Sequence, residues 1–125
     1  MLIFKSSELP EYHDPSPHNR IVKPLFDKKD IPDAKLSVNT LRLEQNAVVP
    51  EHIHDGGVEV IYVLEGILTF TVDGETAEAK PGDIVYVPEN IKHSTTNKYP
   101  QAGKALCIFT PSNDYTAMRS WTEIK

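Results

Sequence analysis

Two short segments concentrate side chains able to bind a metal ion: Pro50-Glu-His52-Ile-His54-Asp-Gly-Gly-Val-Glu59 and Pro88-Glu-Asn-Ile-Lys-His93. Together they offer three imidazoles and a carboxylate, a donor set suited to a divalent transition ion. In extended backbone alternate side chains share a face and the chain rises about 3.3 Å per residue, so His52 and His54 start roughly 6.6 Å apart and can lean onto one ion. Glu51 and Asp55 have the opposite parity and are expected at the rim. Glu59 opens the apolar run Val58-Glu-Val-Ile-Tyr-Val-Leu64, where an ionised carboxylate without a partner is costly and a cation removes the cost. A lone His-x-His is more often a solvated or hydrogen-bonded pair; Glu59 and His93 shift the reading to metal. His13 and His18, set among prolines and polar residues, are assigned no role.

Such widely spaced clusters meet only in a fold that stacks strands. Residues 1–35 carry prolines at 10, 15, 17, 24 and 32 with little periodicity, and read as an extended N-terminal arm wrapping the core. From Leu36 the chain predicts short strands over 36–43, 58–64, 67–72, 75–79, 84–87, 92–97 and 104–109, the spacing of an all-β sandwich or barrel. Asp73-Gly74 marks a two-residue hairpin turn, and Pro81-Gly82-Asp83 another tight turn. In the tail, Ser112-Asn113-Asp114 is positioned to cap a short helix through Tyr115–Trp121. The expected organisation is one domain over 1–125: arm 1–35, barrel 36–110 and tail 111–125.

A chain of 125 residues suits one domain burying roughly two-thirds of its unfolded surface. It is 39% hydrophobic and 25% charged, and its net charge of −5 argues against a nucleic-acid partner, which calls for a basic stripe. No apolar stretch approaches the ~20 residues that span a bilayer, and Met1-Leu-Ile-Phe-Lys5 is too short for a signal-peptide core, so no membrane partner and a cytoplasmic location are expected. The single cysteine, Cys107, in the strand-like Ala105-Leu-Cys-Ile-Phe109, excludes an internal disulfide and fits a reducing compartment.

The residues resemble a small single-domain member of the cupin superfamily. Its first motif, a glycine, five residues, His-x-His, three or four residues, Glu, six residues and a glycine, is matched by His52, His54, Glu59 and Gly66, with Asn46 at the leading glycine. Its second, a glycine, five residues, Pro-x-Gly, two residues, His, three residues and Asn, is matched by Gly82, Pro88, His93 and Asn97, with Asn90 at the internal glycine. Both departures fall at turns, where asparagine tolerates left-handed backbone. The resemblance covers about residues 36–110. It implies a double-stranded β-helix, or jelly roll, with one divalent transition metal inside the barrel, held by His52, His54, Glu59 and His93. Iron, manganese, nickel, cobalt, copper and zinc all suit that set, whereas calcium and magnesium prefer oxygen. An octahedral site leaves two positions open, and a closed zinc tetrahedron none.

Ile61 and Val63 share the face of Glu59 and are expected to line an apolar pocket for a small organic molecule. Arg42, in Thr40-Leu-Arg-Leu-Glu44, is a candidate partner for a substrate carboxylate, or else faces outward at a subunit contact. Tyr62, Phe70, Tyr86 and Phe109 read as packing residues. The favoured function is a metal-dependent enzyme, a dioxygenase-like oxidoreductase. One alternative is a redox-neutral isomerase or decarboxylase drawing a base from Glu51, Asp55 or Glu89; the other is a non-catalytic small-molecule-binding or sensing module. A homodimer is expected, formed through sheet faces or by exchange of the proline-rich arm.

Overall fold

Period-two alternation accounts for most of the strands. The computed structural model describes residues 1–15 and 17–124, which form β1 (Glu11–His13), β2 (Arg20–Phe26), β3 (Ser37–Leu43), β4 (Val48–His52), β5 (Val58–Glu65), β6 (Leu68–Val72), β7 (Glu75–Ala79), β8 (Ile84–Val87), β9 (His93–Thr96), β10 (Gly103–Thr110) and β11 (Thr122–Ile124). Along β3 every second residue from Ser37 to Leu43 is buried; β5 buries Glu59, Ile61 and Val63, and β10 buries Gly103, Ala105, Cys107 and Phe109. The strands pair antiparallel into a seven-stranded sheet, ordered β11-β1-β2-β3-β10-β5-β8, and a four-stranded sheet, ordered β4-β9-β6-β7. Their inner faces share one core, in which Leu41, Val63 and Ala105 of the large sheet meet Val49, Leu68 and Phe70 of the small one. Leu43, Val63 and Leu68 are wholly buried, each contributing about 1.5–3 kcal/mol of apolar transfer. This is the expected double-stranded β-helix.

The turns obey local sterics. Asp73 (φ 50°) and Gly74 (φ 80°) join β6 to β7 through a two-residue turn of the I′ kind, placing Val72 opposite Glu75. Gly66 sits at φ 70°, and a Cβ there would lie 2.5 Å from the Ala102 carbonyl oxygen. Asn46 (φ 68°) and Asn90 (φ 61°) adopt the left-handed backbone that their places in the two motifs require.

Two expectations are corrected. Much of the N-terminal arm is sheet: β2 lies between β1 and β3, with Val22 opposite Leu41. Pro24 is tolerated because β1 pairs only with Ile21 and Val22, leaving β2 an edge where the proline lacks its N–H. The tail forms no α-helix among the described residues, only a 3₁₀ turn over Met118–Ser120. Asp114 folds its own turn by accepting the Thr116 N–H (2.8 Å) and hydroxyl (2.6 Å), Tyr115 is drawn into the core, and the chain leaves as β11 to pair with β1.

Candidate metal centre

His52 and His93 face each other directly across β4 and β9, with ring centroids 4.1 Å apart. β4 is the edge of its sheet, which accommodates Pro50, and the register shifts between Val49 and His52. His54 follows β4 in a loop that Asn90 pins from two sides: its N–H donates to the His54 carbonyl (3.1 Å), and its side-chain oxygen accepts the Gly56 N–H (3.3 Å). A glycine at position 90 could make only the first bond. The His54 ring packs edge-on against Phe109 at 4.8 Å. Glu59 arrives from the opposing sheet, beside Phe109 in the β5–β10 register. Oε1 of Glu59 lies 3.4 Å from Nε2 of His54 and 3.2 Å from Nε2 of His93, and Nε2 of His52 is 3.1 Å from Nε2 of His54. All four donor groups fall within 4.8 Å of one another.

The outer hydrogen bonds decide what these rings present. Nδ1 of His52 meets the Pro50 carbonyl at 2.8 Å, and Nδ1 of His93 meets the Ile91 carbonyl at 3.0 Å. A carbonyl oxygen only accepts, so each neutral ring carries its proton on Nδ1 and turns the Nε2 lone pair toward the centre. Nε2 of His93 is buried without a hydrogen-bond partner despite its closeness to Glu59, because a lone pair facing a carboxylate is an acceptor facing an acceptor. A cation between them resolves that opposition, so the cluster of His52, His54, Glu59 and His93 can hold a metal ion.

Charge follows the same geometry. Burial pushes the Glu59 carboxyl up, but His54 and His93 outweigh it and its pKa falls below the usual value. Burial lowers His93, yet Glu59 and the Ile91 carbonyl lift it above an ordinary histidine. His52 goes down, because burial and its charged neighbours His93 and His54 outweigh the Pro50 carbonyl.

The cluster lies on the wall of a cavity of about 60 Å³, to which Ile61, Leu41, Val22 and Phe109 add apolar surface. Ile61 thus stands where the sequence places it. Val63 does not line this cavity; it is fully buried in the core beyond it. Arg42 as a substrate partner is corrected, and of its two readings the outward one holds: paired with Ile21 and Lys104 on the outer face, it binds Glu44 at 2.7 Å and Glu11 at 3.4 Å. The inward arginine is Arg20, opposite Leu43 and in phase with Val22. The proline-rich stretch 1–35 lacks the periodicity that would give Arg20 a parity, so the sequence carried no signal for it; Asn39 and Asn113 also line the cavity. Glu51, Asp55 and Glu89 are exposed and away from the cavity, where Glu59 is the sole acid among the described residues.

The sequence profile of the family described as "Cupin domain" matches residues 39–109. The chain belongs to the cupin family. It is 39% identical over 46 residues to the quercetin 2,3-dioxygenase of Bacillus subtilis (strain 168), covering 37% of this chain and 14% of that enzyme. The chain spans less than half the length of the other curated relatives it matches, among them a germin-like protein of Arabidopsis thaliana. A solved structure from Thermotoga maritima, described as a predicted oxalate decarboxylase, superposes with a TM-score of 0.77 at 22% identity, covering 88% of this chain and 99% of that one. KdgF from Halomonas sp. superposes with a TM-score of 0.76 at 21% identity, covering 91% and 96%. At these identities the two structures speak for the cupin fold alone.

Proposed function

We propose that this cupin is a metal-dependent enzyme acting on a small organic molecule, with dioxygenase-like oxidation as the favoured reaction. The observation that carries the reading is the convergence of three Nε2 atoms and the Glu59 carboxylate on one point beside an apolar cavity, with Nδ1 of two rings tied to carbonyls. His52, His54, Glu59 and His93 would hold one divalent first-row ion, and a redox-active one would supply one-electron chemistry and charge stabilisation there. The protein's own part is to fix the ligand tautomers through Pro50 and Ile91, and to keep bulk water from the centre with Ile61, Leu41 and Phe109. Similarity to the quercetin dioxygenase supports the oxidative choice. The redox-neutral alternative lacks support from a dedicated base, since Glu51, Asp55 and Glu89 stand outside the cavity. The lone buried Cys107 favours a reducing, cytoplasmic setting.

The test is elemental analysis of protein purified without added metal or chelator, wild type against His93→Ala, followed by an oxygen-consumption screen on the loaded protein. Near-stoichiometric iron, manganese, nickel, cobalt or copper, lost in the variant, is expected. Negligible metal in both after attempted reconstitution would turn the assignment to a metal-free binding module.

A further inference from the structure

We propose that Arg20 is the anion-binding residue of the cavity, so that the ligand taken beside the metal centre is a small organic carboxylate. This rests on the metal-centre reading above. The sheet register sets the geometry: Arg20 opens β2 opposite Leu43, and with Val22 opposite Leu41 both side chains turn into the barrel and line the cavity of the His52-His54-Glu59-His93 cluster. Two contacts hold the guanidinium. Its Nε donates to Asp14 Oδ2 at 3.0 Å, and its plane stands over the Trp121 ring, 4.8 Å from the centroid. Both act on the Nε edge or the face of the group. Among the described residues the two Nη atoms donate no hydrogen bond, and the side chain is 20% exposed, so the forked end remains open to an incoming acceptor. Two parallel N–H donors on a rigid plane match a carboxylate better than any neutral acceptor.

The rest of the lining sharpens the choice. Asn39, Thr95 and Asn113 add neutral polar groups, and the one acid, Glu59, belongs to the metal-binding cluster. An anionic ligand therefore meets the cation at the centre and the open Nη donors of Arg20, whose charge Asp14 partly balances, with no free carboxylate on the wall to repel it. With about 60 Å³ beside the centre, the ligand is a small one. A purely structural Arg20, tying β2 to the tail through Trp121, would leave ligand chemistry indifferent to its charge.

Isothermal titration of cobalt(II)-loaded protein separates these roles. The probes are acetate, malonate and succinate, with imidazole as a neutral ligand for open metal positions; the proteins are wild type, Arg20→Gln and Arg20→Lys. At least one acid should bind wild type and weaken about tenfold to a hundredfold in R20Q, with a smaller loss in R20K, while imidazole binds all three alike. Equal acid affinity in wild type and R20Q, or imidazole binding by wild type with no acid bound, overturns the proposal and leaves the metal centre standing. Parallel loss of imidazole in R20Q also overturns it, as a structural effect. Failure of wild type to take up cobalt overturns the metal reading and this proposal together.

Discussion

An imidazole can offer a lone pair to an ion only where its proton is held elsewhere, and the carbonyls of Pro50 and Ile91 do this for His52 and His93. Falling pH therefore attacks the centre by protonating Nε2, in competition with the metal. Without the ion, Glu59 lifts the pKa of His93 while burial and neighbouring charge lower that of His52. Metal content after dialysis should be full near pH 7.5 and fall as pH drops below about 6.5, the ordinary histidine value. Metal retained unchanged to pH ~4.5 would contradict ligation by these rings. Cys107, on the cavity wall, behaves differently. Burial and then the negative Glu59 push its thiol well above the usual value, so the thiolate that reacts with alkylating agents is scarce. Iodoacetamide at pH 8 is expected to leave the native protein unmodified and to label it fully in urea; rapid native labelling would place Cys107 in an accessible site.

The tail, β2 and the loop after it form one element in a working sense, joined at Asp27. Its buried carboxylate accepts both Nη atoms of Arg119 (2.9 and 3.1 Å), the Tyr115 N–H (3.1 Å) and the Lys29 N–H (3.0 Å). Burial pushes this carboxyl up, but Arg119 and the two backbone donors outweigh it, and its pKa lies below the usual value. A depressed folded-state pKa means stability that is fully present above the unfolded value, about 3.9, and is lost as pH falls through the folded one. Asp27→Asn should lower unfolding stability by about 1.5–3 kcal/mol at pH 7. Denaturant melts of the two proteins should converge as pH falls below the ordinary carboxylate range and wild-type Asp27 loses its charge; a constant gap would mean that the charge is not what Asp27 contributes. This junction was illegible in the sequence for a physical reason. Ser112-Asn113-Asp114 is a fair helix cap, and Asp114 does accept the Thr116 N–H as a cap would, but the Tyr115 hydroxyl reaches Asn39 in β3, a long-range bond that outweighs a weak local preference. Likewise Pro24 hid β2, since its tolerance depends on how far β1 reaches along the neighbouring strand. What was legible needed only local rules: the Asp73-Gly74 turn, the alternation of β3, β5 and β10, and the two motifs whose spacing survives Asn46 and Asn90.

For the molecule as a whole, the alternation that builds the barrel also determines its outer surface. Side chains out of phase with Glu59 and Ile61 form two apolar rows across three strands: Tyr86, Val60 and Ile108, then Ile84, Tyr62 and Leu106. Ile84 and Tyr86 are 64% and 60% exposed, on a strand that ends its sheet with one backbone edge unpaired. Scattered apolar residues are normal on a surface, whereas a contiguous row on an open edge invites association. Exchange of the arm would have to carry β1 and β2, which pair within the sheet, together with the exposed Met1, Leu2 and Ile3. Of the two routes to the expected homodimer, the sheet face is the one whose apolar side chains are set in rows by strand pairing. Sedimentation should therefore give twice the 14.0 kDa chain mass for wild type, and also for a variant with Leu2 and Ile3 changed to serine. The double substitution Ile84→Lys with Tyr86→Lys removes no core contact and should give a folded monomer, with its circular dichroism and metal content unchanged. A dimer that survives those lysines but dissociates on changing Leu2 and Ile3 would assign the contact to the N-terminus, and a monomeric wild type would exclude both routes.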